Sequence, residues 1–292
     1  MSRPAARDVI DLVLLGALWG ASFLFLRIAT PEFGPVPIIF VRVSVAAVLL
    51  GVTLAARGGL RELTAHAGAL CLLGAINTAV PFTLFAFATM ELSAGLASVL
   101  NATVPLFGAL VAVMSLGDRL GAPRLIGVLT GFAGVVVLAW PRISASRGYL
   151  GVLAALAATM QYAVAAHYTR RRFEAMAPLA VATGSQIAAA VLLAPITVAV
   201  WPDVRPSPRA WLSALALGVA CTAVAYALYF RLLARTGPVT ATAVTYVIPL
   251  FGVTWGALFL GEQLPATALA AAVLIFAGVA LATAGPTRRQ SA

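Results

Sequence analysis

The tetrapeptide Pro105-Leu106-Phe107-Gly108 recurs as Pro249-Leu250-Phe251-Gly252, a shift of 144 positions (105 to 249). At the same shift, with no gap, Leu116-Gly117-Asp118 falls on Leu260-Gly261-Glu262, Phe132-Ala133-Gly134-Val135 on Phe276-Ala277-Gly278-Val279, and Gly74 on Gly218. Short matches at one fixed spacing mark an internal duplication of about half the chain. The period is too long for a solenoid, whose units run about 20–50 residues. It has the size of a multi-span half of a membrane transporter.

Composition says where such a half lies. Of 292 residues, 62% are hydrophobic and 10% charged, with a mean hydropathy of +1.02. Soluble domains carry about 25% charged residues, so this chain has too little polar surface to cover a water-soluble core. Crossing about 30 Å of hydrocarbon takes about 20 helical residues. Ten stretches qualify: Val9–Ile28, Val36–Ala56, Ala67–Ala88, Ala94–Leu116, Pro123–Trp140, Gly148–Tyr168, Pro178–Trp201, Trp211–Leu233, Val239–Leu260 and Pro265–Ala284. The loops between them are short and hold the charges, prolines and glycines. The first run follows Arg3 and Arg7. It is longer than the apolar region of a cleaved signal and lacks a small-residue cleavage site after it, so it reads as a retained span. Cys71 and Cys221 fall inside apolar runs and read as core fillers.

All 19 basic residues are arginine, and the net charge is +10. In a soluble protein that excess would suggest nucleic acid. Here the arginines lie between the apolar runs, where they orient a membrane chain, and no nucleic-acid partner is expected. Thirteen lie on the side of the N-terminus and five on the other, with Arg42 inside the second run. The positive-inside rule then puts both termini in the cytoplasm, with the chain in the inner (plasma) membrane of a bacterium. Trp140, Tyr149, Trp201 and Trp211 fall at the outer interface as an aromatic belt. Five spans per copy is an odd number, so the second copy enters the membrane inverted. Arg119 in an inner loop corresponds to Gln263 in an outer one, and Arg235 to Glu91. The expected fold is all-α and integral to the membrane: ten transmembrane helices as two inverted five-helix repeats, over residues 1–142 and 147–285. A solute site would lie near the midplane between the halves.

Further marks are Leu18-Trp19-Gly20-Ala21-Ser22-Phe23, Arg42 in the second span, the proline-containing fourth and ninth spans, Gly261-Glu262, and a last span ending in Gly278-Val279. In their order and spacing, over essentially the whole chain, these resemble the EamA-type branch of the drug/metabolite transporter superfamily. The first copy departs from the usual pattern in having Asp118 where Glu is commoner. The resemblance implies a polytopic carrier of small metabolites. Characterised relatives include bacterial amino-acid exporters, aromatic amino-acid exporters among them. It therefore implies export of amino acids, aromatic ones included, or of similar small metabolites. Other metabolites or drugs are the alternative cargo, and a membrane-embedded lipid-modifying enzyme is the rival class.

The fourth span places Ser98, Asn101, Pro105 and Gly108 on one helical face, and the ninth repeats this with Thr242, Thr245, Pro249 and Gly252. Proline frees the carbonyl four residues back, that of Asn101 and of Thr245. In lipid a freed carbonyl needs a partner or a wet cavity. Matched prolines beside polar residues therefore suggest a binding wall with hinges at Pro105 and Pro249; close packing of small residues is the plainer alternative. Asn77, Gln161, Trp19 and Tyr226 complete the expected lining. The two amides need polar partners inside the bundle, and Trp19 lies about halfway across its span, away from the interface where tryptophans anchor. Arg42 has two readings: a structural tie or a snorkelling cation, or an anchor for a substrate carboxylate. The first is preferred, because its counterpart in the other copy is neutral Gln186. His167 reads as structural.

Every acidic residue is placed by the apolar runs in a loop or at a span end, so no proton-coupling carboxylate is evident inside the bundle. Transport is expected to run down the substrate gradient. The chain has no lysine and so no phosphate-binding P-loop lysine; no ATPase partner is evident either. No His/Cys cluster suggests a metal, and no cofactor is expected. The partners are then a small solute and the lipid bilayer, with the chain a monomer or a dimer.

Overall fold

The computed structural model describes residues 5–116, 121–144 and 148–283, and among these the ordered elements are helices. Ten carry the architecture. They are α1 (Ala6–Phe33), α2 (Pro35–Ala56), α3 (Ala67–Glu91), α4 (Ala94–Met114), α5 (Ala122–Ser144), α6 (Tyr149–Arg172), α7 (Pro178–Ala199), α8 (Pro208–Gly237), α9 (Val244–Leu260) and α10 (Ala266–Thr283). Nine of these are long and apolar enough to cross a bilayer, and α9 is a shorter apolar helix. Their boundaries are set by ordinary signals. Gly34, at φ 80, ends α1, and Pro35 opens α2. Ser93 and Ser207 cap α4 and α8 by accepting the N–H of Leu96 and of Ala210, each at 3.2 Å. Pro178 and Pro208 occupy first-turn positions, where the missing N–H costs nothing.

The outer surface is apolar. Val52, Leu129, Val191, Val198, Leu212, Leu258 and Val273 are each more than half exposed. In water so much apolar surface would be an association hazard; in hydrocarbon it is the solvated face. Trp140, Tyr149, Trp201 and Trp211 are exposed as well. The last two pack with Phe33 at the end of α1, on the face opposite the N-terminus.

Inside, the helices pair across the midpoint of the chain. α5 packs on α10, α2 on α7 and α4 on α9. The other principal contacts come in couples: α1 packs on α9 as α6 packs on α4, α1 on α8 as α6 on α3, and α2 on α8 as α7 on α3. Replacing each helix by its counterpart five places along leaves this pattern unchanged. Close approach by small residues makes it possible. A Cβ on Gly127, Gly134 or Gly278 would strike the facing backbone in the α5–α10 pair. Gly74 abuts the Ser185 carbonyl of α7, just as Gly218 abuts the Arg42 carbonyl of α2.

One expectation needs correction. Pro105 does follow a break, since helix stops at Asn101 and restarts at Val104. Pro249, however, sits inside α9, whose discontinuity lies earlier, at Ala243. The two prolines therefore do not mark matched breaks in the helices. The distortions that do match are π-helical: Ala75–Ala79 in α3 and Val219–Val224 in α8 start at positions related by the 144-residue shift. Asp8 and Asp11, at the N-terminal end of α1, are buried.

Candidate functional site

The π-helical stretches bring polar residues to the centre of the bundle. Widening the turn from α to π spacing leaves backbone groups for side chains to satisfy, and such turns gather at functional sites. In α8 the Thr222 hydroxyl donates to the Leu217 carbonyl, five residues back, at 2.7 Å. It also accepts from Arg42 Nε at 3.0 Å. The counterpart, Thr78 in α3, is fully buried, and its hydroxyl has no partner among the described residues. Arg42 is 6% exposed and lies 4.0 Å from the centroid of the Phe82 ring of α3, a cation–π distance. Tyr162 of α6 and Cys221 and Tyr226 of α8 lie around it, with Asn77 beside the Tyr226 hydroxyl.

Aromatic rings extend from this centre in two directions. Tyr162 contacts Phe82 and Phe85 at 6.4 and 6.1 Å between centroids. Tyr226 stacks on Phe230 at 5.7 Å, Phe230 meets Tyr229, and Tyr229 meets Trp19 of α1 at 5.6 Å. The result is a packed wall drawn from α1, α2, α3, α6 and α8, aromatic around one guanidinium. Its chemistry suits a small solute with an apolar body and a few polar groups.

The expected site residues divide. Asn77, Tyr226 and Trp19 belong to this wall. Ser98 does not face open space: it is fully buried, donates to the Gly95 carbonyl at 2.7 Å, and packs against Gly252 so tightly that a Cβ there has no room. Asn101, Gln161 and Thr245 are half-buried, on α4, α6 and α9. The nearest tie between their helices is the 3.2 Å hydrogen bond from Thr103 to Thr159. Thr242 has its side chain outside the described residues, as does the whole of Asp118. Phe82 and Tyr162 were absent from the expected lining, and Arg42 entered it only as the less favoured of its two readings. Thr78 and Thr222, identical at the repeat spacing beside Asn77, were the available signal. Snorkelling is excluded for Arg42 by its burial, while the tie to another helix is real.

The two ends of the bundle differ. Glu262, after α9, accepts the N–H groups of Ala94 and Gly95 at the start of α4, at 2.9 and 3.3 Å. Arg27 lies 3.9 Å from Glu262 and donates to the Thr89 and Met90 carbonyls. Glu91 accepts the Gly151 N–H at the start of α6, at 2.7 Å. Three acidic or basic groups thus staple the face opposite the N-terminus, together with Glu32, which holds Ser207. On the N-terminal face, Arg231 and Arg235 of α8 hold Asp11, and Arg235 reaches Asp8 at 3.0 Å. At equivalent positions, a Cβ on Gly252 would strike Ser98, whereas one on Gly108 would meet no atom within 4 Å among the described residues.

Ten mostly membrane-length helices around a polar and aromatic centre define a polytopic membrane transporter. The chain belongs to the EamA-like transporter family, whose model matches it twice, over residues 9–140 and 149–284. It is 27% identical over 277 residues to a protein of Streptantibioticus cattleyicolor named "Probable terminal-alkyne amino-acid exporter", covering 94% of this chain and 93% of that one. It is 21% identical over 274 residues to an uncharacterized transporter of Archaeoglobus fulgidus, covering 92% and 96%. A solved crystal structure, 25% identical, superposes with a TM-score of 0.63 over 98% of this chain and 100% of that one.

Proposed function

We propose that this protein is an inverted five-plus-five carrier that exports amino acids or similar small metabolites by alternating access. The observation that carries the proposal is the contrast between Gly108 and Gly252. The two stand at equivalent places in the repeats, yet a Cβ on Gly108 meets no atom within 4 Å among the described residues, while one on Gly252 is blocked by Ser98. Two similar halves held in unlike states are what a rocking carrier requires, because exchanging their states exposes the centre to the other side. The exchange-symmetric helix pairing supports the repeat, as does the family model matching each half separately.

Amino acids are the favoured cargo because the relative from Streptantibioticus carries that description and the central wall is aromatic and polar. The arginine bias favours a bacterial plasma membrane with both termini in the cytoplasm. In this reading the present conformation is closed on the outer face. Asp11 is engaged by two arginines, and transport runs down the substrate gradient. The direct test is uptake of the twenty amino acids by purified protein in liposomes, followed by counterflow. Preloaded vesicles accelerate entry of the labelled substrate if the protein is a carrier. A flux that ignores the solute on the far side would describe a channel and contradict the proposal.

A further inference from the structure

We propose that Arg42 is the anion anchor of the transported solute, so that the substrates of this protein are small carboxylates. The inference rests on the carrier reading above and names the chemical class of its cargo.

Three observations carry it. The first is an unbalanced charge. Arg42 lies seven residues inside α2, about 10 Å along the helix, and is 6% exposed. Arg27 lies near Glu262, and Arg231 and Arg235 hold Asp11, but no carboxylate among the described residues pairs with Arg42. The second is spare hydrogen-bonding capacity. A guanidinium offers five N–H donors. Nε serves Thr222, while the two terminal nitrogens donate to no group among the described residues. Those nitrogens form the planar fork that matches a carboxylate with two parallel bonds, and Thr222 and the Phe82 face fix its orientation. The third is the counterpart. Gln186 occupies the equivalent position of α7 and is fully buried. Packing at this place in the fold therefore accepts a neutral side chain, and the charge serves something other than the scaffold. Tyr162, Tyr226 and Phe82 around the guanidinium would receive the apolar part of the same solute.

The test compares acids with their neutral amides, phenylalanine against phenylalaninamide and leucine against leucinamide, by ligand-induced thermal shift on purified protein and by competition in counterflow. The wild type should favour the acid by about tenfold or more, the contribution expected of a charge-assisted bond. Arg42→Gln, which copies the residue of the other half, should weaken the acid and leave the amide unchanged. Arg42→Lys should recover part of the preference. Equal response of the wild type to acid and amide, or no response to any carboxylate, would overturn the proposal, and that result needs no variant to fold. Equal weakening of acid and amide in Arg42→Gln would make Arg42 purely structural and overturn it too. A protein that exchanges amides in counterflow without preferring acids would lose this inference and keep the carrier reading.

Discussion

Glu262, in the loop after α9, accepts the backbone N–H of Ala94 at the start of α4, 2.9 Å away and 168 positions earlier in the chain. A carboxylate on the N-terminus of a helix is favoured by the helix dipole and by the unpaired amides there. This contact joins the two halves on the face opposite the N-terminus. In the carrier cycle proposed above it would be the latch of that end.

Replacing Glu262 by Ala should therefore favour opening of that face. A charge-assisted bond of about 1.5–2 kcal/mol corresponds to a population shift of about tenfold or more. The check is the rate at which a membrane-impermeant thiol reagent reaches a cysteine placed beneath the latch. An unchanged rate would mean that Glu262 does not hold the closed state.

The unlike glycines make opposite predictions. Gly252→Ala forces a Cβ into Ser98, and overpacking of this kind costs about 1–3 kcal/mol. Gly108→Ala meets open space and gains up to about 1 kcal/mol of helix propensity. Thermal unfolding in detergent should lower the midpoint for the first and leave it equal or higher for the second. Equal losses would remove the asymmetry on which the conformational reading stands.

At the other end, Asp11→Asn leaves Arg231 and Arg235 without their shared carboxylate. The side chain of Asp11 is 6% exposed, but that of Arg231 is 52% exposed, so solvent relieves much of the loss. A destabilisation of about 1–3 kcal/mol is expected, below that of a fully buried pair. A double-mutant cycle with Arg231→Gln measures the coupling, and a coupling near zero would contradict the pairing.

For the central wall, Asn77→Ala and Tyr226→Phe should each weaken substrate binding by about tenfold, the scale of one lost hydrogen bond in a buried site. Ser98→Ala should change affinity little, because Ser98 serves packing in α4. Counterflow competition separates the three. A larger effect of Ser98 than of Asn77 would move the site from α3 and α8 to α4.

Much of the fold is legible in the sequence because hydropathy and length decide it: an apolar run of about 20 residues has few alternatives to a membrane helix. The repeat is legible because its shift is constant from Gly74 to Val279. Local distortions are less so. Pro105 and Pro249 look alike on paper, yet one follows a break and the other rides inside a helix whose gap lies at Ala243. Proline removes a bond without dictating where neighbouring helices let the chain bend. No residue pattern announces the π turns at Ala75–Ala79 and Val219–Val224. The site is harder still, because its key contacts are long in sequence. Arg42 and Thr222 are 180 positions apart, and neither residue alone distinguishes a snorkelling cation from an anchored one.

Exposure of Ser98 during turnover tests the central claim most directly. Ser98 is fully buried against Gly252 on the sealed side of the bundle. In a background with Cys71→Ala and Cys221→Ala, Ser98→Cys should resist an impermeant thiol reagent added to the outer face of substrate-free vesicles. Loading substrate inside should raise its labelling as the halves exchange states. Transport that proceeds while this cysteine stays protected at every substrate concentration would contradict alternating access between the two repeats.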